Sequence, residues 1–456
     1  MSAPGEDLVC PLDFRYGRAE ARALFTRRAR LDRWLSVEAA LAEASAEAGL
    51  FPGSAARTIR RAAEGGRVRV ARVDALERET RHDIMALTRA LAERCGPAGR
   101  WVHFGATSND ILDTALGLEL KASAGLLRSS LSRLVSALFR QAWEHRGTAM
   151  VARTHGQQAV PFTFGYKLTG FLMEFLRHRD RLDQMRPRIE VGKVAGAVGT
   201  GAGFGDRAEA IESGTLKRLG LGREEAPTQL VGRDRLAEFL AWTALAASSC
   251  DRLATEVRNL QRTEIGEVRE PFEESSQVGS STMAQKRNPV NAENVSSLAR
   301  FLRSLPGVAL ENMVQWHERD LANSANERFL VPHAVLLLDD MLGRLTRIVE
   351  GLQVDRDRMQ QNLARGQGST MAEALMLALT ERGLPRASAH ELLRGLTRGL
   401  GPEAVAPLAR RAARDPHVRR YFSPAEVKRV LDPGRYVEAS REKTERLLSG
   451  LRGSLD

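Results

Sequence analysis

TSNDILDTALGLELKASAGLLRSSLSRLVSALFRQAW, residues Thr107 to Trp143, places Ile111, Leu112, Ala115, Leu118, Leu126, Leu127, Leu131, Leu134, Val135, Leu138 and Phe139 at helical spacing. Thr107 or Ser108 can cap its start. At about 1.5 Å per residue the helix is roughly 50 to 55 Å long, too long for an ordinary compact domain.

Working outward, Pro161 opens a second long helical pattern to about Met185, and Arg233 to Ile265 contains neither Gly nor Pro. Two more run from Pro289 to Leu305 and from about Gly307 to Leu352, the last interrupted near Asn323 and at Pro332. No stretch alternates with period two for long enough to make a sheet. The expected fold is all-α, three helical domains with a central bundle of five long helices: residues 1–106, 107–352 and 353–456. Apolar stripes of that length exceed what one chain can cover, which predicts a homo-oligomer.

In the first domain, Leu24, Phe25, Ala29, Leu31, Leu35 and Ala39 mark a helix that extends to Ala48 before Gly49. A further helix, roughly Val73 to Arg89, carries Arg81, His82 and Asp83 near its middle, so at most two of the three share a face. GKVAGAVGTGAGFG, Gly192 to Gly205, has no preceding strand and reads as a loop rather than a dinucleotide site. The last domain has shorter helices separated by Gly383-Leu384-Pro385, Gly401-Pro402 and Asp432-Pro433-Gly434.

The 456 residues are 43% hydrophobic and 27% charged, a globular composition, with a net charge of +11. Seven lysines and 61 arginines are scattered through every expected helix, without an aromatic-interleaved basic stripe. That pattern argues against nucleic acid and leaves a bias toward anionic small molecules. The opening MSAPGEDLVC has no basic n-region followed by an apolar run, and no apolar stretch is long enough to span a bilayer. A cytoplasmic protein without membrane contact is expected. Cys10, Cys95 and Cys250 are too dispersed for a disulfide framework or a zinc site, and neither metal nor cofactor is expected.

Four polar clusters interrupt the helices near their ends: His103 to Asp113, Arg153 to Gly165, Gln277 to Asn294 and Trp316 to Arg328. Each alone is explicable as a cap, a turn or an ion-paired face. Together, at the ends of antiparallel helices, they favour a site. In the third, a Gly-Ser segment runs into Lys286-Arg287 and a helix capped by Asn288 with Pro289 at its first position. The helix-start N–H groups and the two cations would converge on an anion.

HFGATSNDILDTA, RTHGQQAVPFTFG and GSSTMAQKRNP resemble the three signature regions of the fumarase/aspartase superfamily. KRNP, Arg15-Tyr16, Arg81-His82-Asp83, Thr228-Gln229 and HERDLANSANER are similar to its branch acting on adenylosuccinate, and the resemblance covers about residues 11 to 380. It implies an anti β-elimination that breaks a C–N bond in a succinyl nucleotide and releases fumarate, in purine biosynthesis. It implies Ser280 as base, His155 as general acid, His82 as an assisting histidine and Glu293 as the carboxylate behind His155. Thr107, Ser108, Lys286 and Asn288 would hold the succinyl carboxylates. Arg15, Tyr16, Arg319, Ser324 and Arg328 would contact phosphate, Asp83 and Gln229 would approach the nucleotide or its succinyl arm, and Arg81 would bind substrate. A continuous helix would carry Arg319, Ser324 and Arg328 on about a third of its circumference. A homotetramer with active sites shared between subunits is also implied.

Relatives normally carry MPxKRNP, whereas Ala284 stands here in place of the proline, leaving the loop less preordered. Other readings are an argininosuccinate lyase-like or carboxymuconate cycloisomerase-like enzyme, a secondary-metabolism paralogue, or a non-catalytic structural protein. A substrate without phosphate has little use for Arg15, Arg319 and Arg328, and a structural protein has no need to keep Ser280 and His155.

Overall fold

A computed structural model describes residues 9–451, apart from 274, 276–278 and 280–281. The chain is all-α: among the described residues, strands occur only as three two-stranded pairings. The long helices are Ser108–Glu144, Phe164–Ile189, Asp234–Leu260 and Ser324–Glu350. The first has 37 residues, about 55 Å, as its apolar period requires. Val290–Leu302 has 13, and the short helix Leu305–Glu311 follows it.

The last two expected long helices are therefore shorter than their pattern suggested. Residues 312–323 form no helix because side chains bind the backbone there: Asp320 accepts from Trp316 N and Ala322 N, each at 2.7 Å. Pro332, expected to interrupt the last helix, lies inside it.

Two compact units are assembled from separated stretches. The first comprises Met1–Leu131, Arg177–Ser248 and Ser297–Gly343, the second Ser132–Leu176, Ser249–Ser296 and Arg344–Asp456. In the first, helix Arg27–Glu47 starts where Thr26 accepts from Ala29 N at 3.1 Å and contributes Leu31, Leu35 and Leu41 to a core shared with Ile59, Leu87 and Ile111. Burying each such side chain stabilises by about 1.5 to 3 kcal/mol.

Arg81 and its neighbours do not sit in mid-helix. Helix Val70–Thr80 ends at Arg81, which is left-handed at φ +53°, and His82 caps a new helix, Asp83–Ala92, by accepting from Met85 N at 3.4 Å. The expected helix over Val73 to Arg89 is thus two helices. Its apolar period continues across the break, and only the imidazole cap and the positive φ reveal the corner.

Buried charge ties the first unit's helices together. Arg233 donates to Asp113 through Nη1 at 2.8 Å and Nη2 at 2.9 Å, and through Nε to Glu327 at 2.9 Å, which also accepts from Asn323 at 2.9 Å. The N-terminal turn is fastened likewise: Arg18 forks onto the fully buried Asp339, and Ser130 donates to the same carboxylate at 2.6 Å.

The second unit holds the antiparallel hairpin Ala149–Thr154 and Gln157–Thr163, which closes on His155-Gly156 at φ +54° and +75°. Two successive positive φ values fit the tight turn that matches strand twist. Pro161 pairs with Val151 in this ribbon, so it does not open the following helix, which starts at Phe164. In a two-stranded ribbon its missing N–H can face outward. A separate core of Met371, Leu375, Leu379, Ala389, Leu393, Leu408 and Phe422 organises the short C-terminal helices.

Arg233→Met leaves Asp113 and Glu327 buried without their cation, and a loss of about 3 to 5 kcal/mol is expected. Urea unfolding followed by circular dichroism measures it, and an unchanged midpoint would show that the carboxylates find other partners.

Candidate active site

The first unit builds its polar centre where the long helix begins. Thr107 precedes that helix, and its backbone N–H donates at 2.8 Å to Asp110, which is wholly buried. Immediately before it, His103 sits at φ +60° and Gly105 at φ +76°, where a Cβ would strike the buried ring of Phe204. The chain is thus turned sharply, leaving Thr107 and Ser108 half-buried at the helix start. His103 Nδ1 meets the buried Glu38 at 2.6 Å, and His103 N donates to the same carboxylate at 3.2 Å. Burial pushes the pKa of His103 down, but the charge and hydrogen bond of Glu38 outweigh that and raise it above the ordinary value.

Arg319 is the best-fixed cation of the expected phosphate group. Its Nη1 donates to Gln229 Oε1 at 2.6 Å, and Gln229 Nε2 donates to Ala197 O at 2.9 Å. With the Asn109 amide turned so that its oxygen faces the guanidinium, Asn109 accepts from Nε at 3.2 Å and Nη1 at 2.9 Å. Arg319 lies in the non-helical stretch before Ser324, so the expected shared helix face is replaced by a loop that turns Arg319 back toward Gln229.

Arg328 reaches Asp83 at 3.5 Å, and His82 Nδ1 lies 3.5 Å from the same carboxyl group. Asp83, Arg319, Ser324 and Arg328 line one cavity of about 240 Å³ with Trp34. That is smaller than the roughly 300 to 1,000 Å³ of a whole ligand pocket. Arg15 stands exposed over the Tyr16 ring at 5.9 Å, in the turn that Arg18 fastens to Asp339. Neither Arg15, Tyr16 nor Arg81 lines this cavity.

The second unit carries His155, exposed at the hairpin tip. Beside the turn the hairpin is anchored by Arg153, which donates to the fully buried Glu267 through both Nη atoms at 2.8 Å; Asn362 donates to Glu267 as well, at 2.9 Å. Lys286 is exposed, with its backbone N donating to Met283 O at 3.0 Å. Glu293 is exposed on the first turn of Val290–Leu302, and within the chain no hydrogen bond joins it to His155 among the described residues. The position expected for the base, Ser280, lies outside the described residues.

Asn288 does not use its side chain as the expected cap. Its Nδ2 donates to Gly279 O at 3.1 Å, and the helix starts at Val290. The N–H groups of Asn291 and Ala292 are taken by the buried Glu270, each at 3.1 Å. Burial raises the pKa of Glu270, against the lowering effect of those bonds. The anion expected at this helix start is therefore supplied by the protein itself, because a carboxylate distant in the loop folds back onto it.

Asn109, Asp110, Glu38 and Glu270 were not distinguishable as site-building residues from spacing alone. Asn109 and Asp110 fall within the His103 to Asp113 cluster, which was their only signal. Among the described residues no three acidic, histidine or cysteine side chains converge as metal ligands.

Residues 14–301 match the family described as Lyase, and residues 368–447 the family described as adenylosuccinate lyase C-terminus. The adenylosuccinate lyase of Pyrococcus abyssi is 43% identical over 441 residues, 97% of each chain. That of Methanothermobacter thermautotrophicus is 40% identical, covering 96% of this chain and 98% of its own. The crystal structure of a 3-carboxy-cis,cis-muconate lactonizing enzyme from Pseudomonas putida is 34% identical with a TM-score of 0.86, over 96% of this chain and 98% of that one. A fumarate lyase from Mesorhizobium sp. BNC1 is 31% identical with a TM-score of 0.87, covering 95% and 98%.

The raised pKa of His103 sets a pH dependence. Its contact with Glu38 contributes fully below the unfolded value of about 6.5 and is lost as pH rises through the higher folded value. The stability difference between the wild type and His103→Gln should therefore shrink on going from pH 6 to pH 8. Denaturant titrations at several pH values measure this, and a difference that grows with pH would contradict it.

Proposed function

We propose, for a chain that belongs to the adenylosuccinate lyase family of the fumarase/aspartase superfamily, the reaction of that family. It is a carbon–nitrogen lyase of purine biosynthesis that releases fumarate. Adenylosuccinate gives AMP, and the succinylated aminoimidazole carboxamide ribotide gives the free carboxamide. The observation that carries this reading is identity of 43% over 97% of the chain to an adenylosuccinate lyase.

In the proposed mechanism Ser280 takes the proton from the carbon next to a succinyl carboxylate. Lys286 stabilises the negative charge that moves onto that carboxylate. The pair held on that carboxylate then returns to form the double bond of fumarate, the C–N pair leaves on nitrogen, and His155 gives that nitrogen a proton. A serine hydroxyl needs activation, which closure of its loop over the substrate would provide by excluding water and bringing amides and cations close. Thr107, Ser108 and Asn288 hold the carboxylates. Arg15, Tyr16, Arg319, Ser324 and Arg328 hold the phosphate, and Arg81, His82, Asp83 and Gln229 bind the rest of the nucleotide. The cluster of Arg319, Ser324 and Arg328 around one cavity supports a phosphate-bearing substrate over a carboxymuconate.

The active form is a homotetramer in the cytoplasm, with each site completed by other subunits and no membrane or nucleic-acid partner. Val314, Trp316, Leu321 and Phe329 are 72%, 76%, 67% and 63% exposed in a single chain, a grouping that calls for a covering surface. Glu293 would meet His155 across a subunit boundary. Among the described residues no helix is long and apolar enough to cross a membrane.

Loss of adenylosuccinate absorbance tests the reaction, and absence of fumarate release would exclude it. Ser280→Ala and His155→Gln should each lower kcat by about 10² to 10⁴ with little change in KM. Mixing those two inactive variants as refolded oligomers should restore part of the activity, because some sites then draw intact residues from different subunits. No recovery would refute shared sites.

A further inference from the structure

Among 68 basic residues only seven are lysines, and one of them, Lys193, is buried without any exposed surface. Its ammonium pairs with Asp110, which is equally buried. The same carboxylate accepts from Thr107 N at 2.8 Å and from Ala195 N and Gly196 N at 3.0 Å each. Around it every backbone N–H from Lys193 to Gly196 has a side-chain acceptor: Lys193 N donates to Thr114 at 3.0 Å and Val194 N to Glu212 at 2.8 Å. The Thr114 hydroxyl in turn donates to Lys193 O at 2.8 Å.

The next residue continues the connection. Ala197 O accepts from Gln229, and Gln229 accepts from Arg319. Asn109, adjacent to Asp110, accepts from the same guanidinium. One carboxylate therefore sits between the backbone of Thr107 and the loop that aims Arg319.

We infer that Asp110 and Lys193 are a positioning pair that sets the carboxylate-binding hydroxyls of Thr107 and Ser108 and the phosphate-binding Arg319 against each other. The inference rests on the functional reading above for what the two ends bind. Stability alone gives no reason for the pair, since an apolar replacement of a buried ion pair is often neutral or stabilising. A shared geometric task does. An elimination needs the succinyl arm aligned with its base while the phosphate is held, and a displacement of about 1 Å can cost about 10²-fold in rate. A compact ammonium serves here, where the planar fork of arginine would demand more acceptors than a buried loop offers.

The test compares Lys193→Met and Thr114→Val with the wild type. Melting temperature, kcat and KM for adenylosuccinate are measured, and calorimetry gives separate affinities for AMP and for succinate. For Lys193→Met the expected result is a fall of about 10²-fold in kcat/KM with AMP and succinate affinities weakened together. Thr114→Val leaves the charges paired and should move both affinities in the same direction by less. A lower melting temperature with both affinities unchanged would reduce the pair to a structural contact, and movement of only one affinity would refute the link between the ends. If Lys193→Met does not fold, Thr114→Val is judged by the same two outcomes. A wild type that binds AMP and succinate yet releases no fumarate would overturn the functional reading, while the paired affinities still decide the inference.

Discussion

A carboxylate buried out of reach of water must be given donors, and Asp110 receives them from two places far apart in sequence. Thr107 lies three residues before it, while Lys193, Ala195 and Gly196 come from the glycine-rich stretch more than eighty residues later. The cost of leaving such a charge unpaired fixes the relative position of both segments. Gly105 and Gly196 take up positive φ at the two segments, and at Gly105 a Cβ would also strike Phe204. The start of the long helix and the loop toward Gln229 and Arg319 follow from that one requirement.

Backbone strain concentrates where the polar clusters are. Among the described residues five non-glycine residues have positive φ, and four of them, Arg81, His103, His155 and His317, lie in or beside the segments the sequence marks as chemical. Each costs local energy that the surrounding hydrogen bonds must offset. At His103 the offset is the Glu38 carboxylate; at Arg81 it is the cap that His82 makes on the next helix. Such corners point side chains away from regular helix faces. For this reason helical-wheel reasoning misjudged the Arg81 to Asp83 group and the relation of Arg319 to Arg328.

Buried acids elsewhere repeat the pattern in a different role. Glu267 holds the His155 hairpin beside its turn through Arg153, and Glu270 occupies the helix start that the sequence alone would assign to a ligand anion. Asp113 and Glu327 share Arg233. Each of these carboxylates is held by protein donors, although Asp113 and Glu327 also line the cavity that Arg319 and Arg328 share. Their negative charge serves the architecture, while Lys286 and Arg328 stand exposed at the surface.

The amino-acid sequence by itself determined the all-α class, the 37-residue helix from Ser108 and the residue types available for a fumarate-releasing lyase, because apolar period and contiguous motifs are local properties. It also marked Asp83, Arg319, Ser324 and Arg328 as candidates that the fold brings to one cavity. Only the tertiary structure decided that Pro161 belongs to a strand, that Arg81 ends a helix, that Glu270 fills the helix start before Asn291, and that Lys193 answers Asp110. Apart from the Arg81 corner, which its neighbour His82 caps, the deciding partner lies on another segment, and the free energy of burying a charge or closing a ribbon depends on that partner rather than on the neighbours in sequence.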